Sequence, residues 1–170
     1  MSAENIGTEW AAEELEMVCL AVAGVPNLDI GYKLGRSEST TKNRIKRVLT
    51  ELGLKNKRQL AILLIQRGED GSLSLRPEIA SELSGSIREL IEGLLDGFSE
   101  RALVAKKFLS KRETQVLRLL MRGMSGEEIA SVLSIEESTV KGHLRQIMAK
   151  AEVGNRAQAC LVGYAMGVGP

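Results

Sequence analysis

The sequence predicts an all-α protein, two four-helix units joined by a helical linker, and three observations lead there. Aromatic residues make up only 3% of the chain while hydrophobic residues reach 44%. That balance suits Leu-, Ile-, Val- and Ala-lined helices better than sheets. Proline occurs three times, once as the last residue, so long helices are permitted. The chain also repeats itself. A shift of 99 residues aligns 14–68 with 113–167 without a gap and makes 12 of 55 positions identical.

The identities fall at Glu-Ser-Thr-x-Lys (38–42 and 137–141) and at the predicted element ends Gly24/Gly123, Asn56/Asn155 and Gly68/Gly167. In the first copy a helix ends at Gly24, and helices over 27–34, 37–52 and 57–67 follow. The second copy carries the same plan with clearer punctuation. Ser110 and Glu113 form a capping box before Val116, Leu119 and Leu120, and Gly123 closes that helix. Ser125 and Glu128 repeat the box before Ile129, Val132 and Leu133. A helix over 139–151 sets Val140, Leu144, Ile147 and Met148 inside and Lys141, Arg145 and Lys150 outside; a last helix covers 156–166.

The boundaries that follow are 1–68 for the first unit, 69–108 for the linker and 109–170 for the second unit. After breaks at Gly71-Ser72 and Pro77, the linker spaces Leu83, Ile87, Leu90, Ile91, Leu94, Leu95 and Phe98 as one apolar stripe of a helix. The stripe can pack on its own chain or pair with a second copy as a coiled coil. Gly85, Gly93 and Gly97 lower its helix propensity and suit close packing or bending.

A short helix, a tight turn and a longer helix with a polar outer face make the helix-turn-helix plan, whose second helix enters the DNA major groove. Ile30 and Leu34, or Ile129 and Leu133, supply the bracing contact. The charge pattern agrees. Net charge is only +1, yet residues 37–58 hold seven Lys or Arg against two Glu, between an acidic N-terminus (−5 over 1–16) and an acidic stretch at 69–110.

At these residues a family becomes recognisable. Leu109-Ser-Lys-Arg-Glu113, Gly123, Glu128-Ile-Ala130, Leu133, Ser138-Thr-Val-Lys-Gly-His143, Lys150 and Asn155-Arg-Ala-Gln-Ala159 together resemble the LuxR/FixJ/GerE-type DNA-binding domain. The first copy resembles it through Gly24, Asp29-Ile30, Leu34, Ser37-Glu-Ser-Thr-Thr-Lys42, Leu52-Gly-Leu54 and Asn56-Lys-Arg-Gln59. It departs at Arg44, where the second copy has His143, and at Trp10-Ala11 in place of Leu109-Ser110.

The resemblance implies a transcription regulator that binds double-stranded DNA through the third helix of each copy. Base edges fall to Lys42, Asn43 and Lys46 in the first copy and to Lys141, Gly142 and Arg145 in the second, with phosphates bound by Ser39, Thr40, Ser138 and Thr139. Arg44, Arg47 and His143 complete the candidate interface. The side chains suit DNA reading, since Asn pairs with adenine, Lys and Arg reach guanine, and cations give salt-sensitive affinity. Glu136 stands where the first copy has Ser37, caps poorly and adds charge beside Glu137, so the first copy carries more electrostatic weight.

No receiver or ligand-sensing domain is expected beside the two units, since a receiver needs far more residues than the stretch between them provides. One His and two Cys (Cys19, Cys160) exclude a disulfide framework and a Cys/His zinc site by counting, and the Gly spacings match no phosphate loop. An enzyme, a cofactor and a metal are therefore not expected, nor is a membrane span; the expected compartment is the cytoplasm. The family's fourth helix suggests pairing, through 57–67 and 156–166, either as an intramolecular pseudo-dimer or as a homodimer, with the linker stripe as a second self-associating surface. The rival reading is a protein-interaction adaptor whose partner is RNA polymerase or another regulator.

Overall fold

The computed structural model describes residues 10–169, so Glu4 and Glu9 of the acidic N-terminus lie outside the described residues. Within that range the chain is helical apart from one two-stranded sheet. It divides into two compact units, one of residues 10–66 with 74–95 and the other of 67–73 with 96–169. No helix among the described residues is long and apolar enough to cross a membrane.

The first unit begins with α1 (Ala12–Val22), α2 (Asn27–Lys33), α3 (Glu38–Glu51) and α4 (Lys57–Leu64). Its core takes Leu15, Val18, Leu20, Ile30, Ile45, Val48, Leu60 and Leu64, all nearly or fully buried. Cys19 is buried among them, and burial, with Glu16 nearby, pushes its thiol up to about 12. The link from α2 to α3 is tight because Gly31 has no side chain. A Cβ there would stand 2.6 Å from the Arg36 carbonyl oxygen, and the Arg36 N–H donates to the Gly31 carbonyl at 2.7 Å.

The fourth helix of this unit is shorter than the sequence predicts. It stops at Leu64, and Ile65–Arg67 forms strand β1, paired with β2 (Leu73–Leu75). The turn chemistry of Gly68-Glu69-Asp70-Gly71 wins over the helical pattern. Asp70 accepts from the Ser72 N–H at 2.9 Å and its hydroxyl at 2.7 Å, while Gly71 adopts φ +93°. A short α5 (Pro77–Ser81) follows.

Helix α6 (Gly85–Phe108) buries Ile87, Ile91, Leu95, Phe98, Ala102 and Ala105 as one continuous stripe. This corrects the coiled-coil alternative, because the stripe is already covered by its own chain. Leu90 (37% exposed) and Leu94 lie at its edge, outside the buried row. No atom comes within 4 Å of a Cβ built on Gly85 or Gly93, so these glycines serve no close packing.

The second unit contains α7 (Lys111–Met121), α8 (Gly126–Leu133), α9 (Glu137–Lys150) and α10 (Arg156–Ala165). Both capping boxes form: Ser110 with Glu113 and Ser125 with Glu128 each exchange two hydrogen bonds. Val116, Leu120, Ile129, Val140, Leu144, Ile147 and Ala159 make the core. Val132, expected inside, is 57% exposed, since α8 turns Ile129 and Ala130 inward instead. Leu161, Val162 and Ala165 of α10 are buried as well. The β1–β2 turn caps that helix, with Arg67 Nε donating to the Ala165 carbonyl at 2.9 Å. The face of 156–166 offered for pairing is thus covered within its own chain.

Candidate nucleic-acid interface

In each unit the interface begins at the N-terminus of the longer helix. Ser37 caps α3 by accepting from the Thr40 N–H at 3.1 Å, and its hydroxyl lies 2.9 Å from Ser39 Oγ and 2.8 Å from Thr40 Oγ1. Three hydroxyls thus gather where the helix presents free N–H groups, a setting that favours phosphate. Thr41, fully buried, donates its hydroxyl to the Ser37 carbonyl and anchors the turn.

Beyond the cap, Lys42, Asn43 and Lys46 are exposed on one face of α3, and among the described residues their side chains have no hydrogen bond or ion pair. Arg44 and Arg47 turn the other way. Arg44 pairs with Glu13 at 3.3 Å, and Arg47 pairs with Glu14 and, at 3.5 Å, with Glu51. Arg36 adds a two-pronged contact to Glu13 at 2.7 and 2.8 Å. The Arg36 hydrogen bond holds the Glu13 carboxyl below its ordinary value, and the bond to Glu14 raises Arg47. Two of the five cations and amides proposed for this helix therefore brace α3 against α1.

The second unit differs in its charge. Glu136 occupies the N-cap of α9 without a side-chain cap bond, and Glu137 pairs with Lys141 at 3.1 Å. Ser138 and Thr139 are exposed, and nothing lies within 4 Å of a Cβ built on Gly142. His143 is half-buried; Arg145 is exposed and has no ion pair among the described residues. Lys150, expected outside, is instead held by the buried Glu113 at 2.7 Å. Gln146, next to Arg145, is exposed and is missing from the sequence-derived set. It aligns with Arg47, and that alignment was the available signal.

Two helix pairs of this kind, each with a hydroxyl-bearing helix start and an exposed polar face, define a helix-turn-helix protein. Comparison with known proteins makes the assignment specific. The family described as bacterial regulatory proteins, luxR family, matches residues 11–64 and 107–162, and the chain belongs to that family. It is similar to the response regulator protein VraR of Staphylococcus epidermidis, 32% identical over 104 residues, covering 55% of this chain and 49% of that one. The HTH-type transcriptional regulator MalT of Vibrio cholerae is 35% identical over 106 residues, covering 56% of this chain and 12% of its own. The regulatory protein SdiA of Escherichia coli is 26% identical over 132 residues, 77% of this chain and 55% of its own. The chain spans about half the length of the first of these relatives. No solved structure matches it.

Proposed function

We propose that the protein is a sequence-specific, double-stranded DNA-binding transcription regulator that reads with two helix-turn-helix modules in one chain. The observation that carries this is the exposed row Lys42, Asn43 and Lys46 on α3, directly after a capped, hydroxyl-lined helix start. Asn matches the N6/N7 edge of adenine, and Lys the O6/N7 edge of guanine. The names of the relatives, two of them transcriptional or response regulators, support the same reading. Because α3 and α9 present different side chains, one chain reads an asymmetric site of two half-sites about 10 bp apart. Selection from a random duplex pool, followed by mobility shift across salt, tests this. Enrichment of one sequence, with log affinity falling linearly against log salt, is expected. No enrichment, with no salt dependence, overturns it.

A second reading has one observation in its favour. Glu127, Glu128, Glu136 and Glu137 stand at the starts of α8 and α9, and Lys141 is drawn to Glu137. Carboxylates beside a phosphate backbone oppose binding, so the second module suits an adaptor surface for RNA polymerase or another regulator. Lys141→Ala with Arg145→Ala separates the two: unchanged DNA affinity favours the adaptor.

A further inference from the structure

The face of α6 opposite its buried stripe is unusual for a solvated helix. Leu103 is 65% exposed, Val104 52% and Phe108 61%, and all three lie within the last six residues of the helix. Single exposed apolar residues are ordinary, but three adjoining ones on a single helix face mark an interaction surface. Charges around them are segregated. Asp96 and Glu100 precede the apolar patch, with Arg101 half-buried over the Phe98 ring, and Lys106 and Lys107 follow it; these four acids and lysines are exposed and carry no ion pair among the described residues.

We infer that this face pairs with the same face of a second copy, the two α6 helices running antiparallel about a two-fold axis near Leu103 and Val104. The surface is complementary to itself in that orientation, as a two-fold interface requires. Leu103 meets Val104 of the other copy at the centre, and Glu100 comes opposite Lys107. A parallel pair sets Glu100 against Glu100 and Lys107 against Lys107, which repels. Gly97, Glu100, Arg101 and Val104, spaced i, i+3, i+4 and i+7, line a hollow of about 300 Å³ with Lys150, Ala151 and Glu152. Four residues at that spacing form the hole that accepts a side chain from a facing helix. In the antiparallel register the Phe108 ring of the second copy lies over it. The patch holds only three apolar side chains per copy, so association is weak. The dimer carries four helix-turn-helix modules and uses neither the stripe buried under α6 nor the covered face of α10.

Sedimentation of the full chain across concentration is the test. Wild type shifts from monomer to dimer mass as concentration rises. Leu103→Asp with Val104→Asp stays monomeric while its circular dichroism is unchanged. Glu100→Lys weakens association by about tenfold, since each dimer holds two such pairs, and adding Lys107→Glu restores it. Orientation is read by oxidative cross-linking. Val104→Cys joins to its own copy, whereas Asp96→Cys does not, because an antiparallel pair separates those positions by about 22 Å at 1.5 Å per residue. A monomeric wild type overturns the proposal. So does a dimer indifferent to the Leu103 and Val104 changes, failure of the charge-swapped pair to restore association, or equal cross-linking at both positions.

Discussion

Lys150 reaches back from the end of α9 to lie 2.7 Å from both carboxylate oxygens of Glu113, a residue only 4% exposed near the start of α7. The first module keeps the carboxylate and changes the cation. Glu14 is held by Arg47, one turn earlier on α3, and the residue aligned with Lys150 is Glu51, which joins the same Arg47. One pairing is thus built twice, with the cation moved by a helical turn.

The Glu113 pair makes the second module acid-sensitive. Burial pushes the carboxyl up, but Lys150 together with the Ser110 N–H and hydroxyl outweighs it and holds the group below the usual carboxylate value. A carboxyl depressed in the folded state stabilises above its unfolded value, about 4.3. That stability is lost as pH falls through the lower folded value. Lys150→Met is expected to cost about 2 kcal/mol at neutral pH, as for a hydrogen bond to a charged group. It should also flatten the loss of stability below pH 4.3 or so. Thermal melts of wild type and variant between neutral and acid pH read both effects; parallel curves contradict the assignment.

Glu136 offers a gain. The N-cap of α9 lacks a side-chain bond, whereas its counterpart Ser37 accepts from the Thr40 N–H. Glu136→Ser should add about 1 kcal/mol to the module by satisfying a free N–H. It also removes a carboxylate beside the proposed phosphate contacts of Ser138 and Thr139. A higher melting point with tighter nonspecific DNA binding is expected, and a lower melting point counts against it.

The two classes of α3 cation separate in experiment. Lys42→Ala with Lys46→Ala should weaken DNA binding and lower the slope of its salt dependence, because two exposed cations at the interface are lost along with their base contacts. Arg47→Ala should lower the melting temperature through Glu14 while leaving the slope unchanged. Mobility shifts at several salt concentrations, set beside melts, distinguish them. A loss of slope in Arg47→Ala means that it faces DNA after all.

What the sequence made legible was local and repeated. Ser110/Glu113 and Ser125/Glu128 could be read as caps because a cap is a contact across three residues, and the alignment at 99 residues carried the helix order from one copy to the other. What it hid depended on distance along the chain. Arg47 looks like a DNA cation until Glu14, 33 residues earlier, is folded against it. The break at Leu64 depends on Asp70 closing a turn six positions on, a local contest between helix pattern and turn chemistry that periodicity alone does not settle. The linker stripe was legible as a stripe, but what covers Ile91 and Leu95 is a tertiary fact.

The repeat finally shows where the second module carries backbone strain that the first avoids. Gly35 and Gly53 hold φ of +63° and +66° at the ends of α2 and α3; the aligned residues, Ser134 and Glu152, are not glycine yet adopt φ of 52°. A left-handed conformation costs a residue with a Cβ roughly 1–2 kcal/mol, and glycine's greater freedom in the unfolded chain returns part of that. Ser134→Gly and Glu152→Gly should therefore each stabilise the second module by about 0.5–1 kcal/mol, and the two should add because neither side chain makes a hydrogen bond among the described residues. Gly93 supplies the opposite control. It sits inside α6 with open space around it, so Gly93→Ala should gain a similar 0.5–1 kcal/mol or so through helix propensity. Chemical denaturation of the three variants measures all of these shifts. Destabilisation by Ser134→Gly or Glu152→Gly would show that the side chain, rather than the backbone, holds that turn.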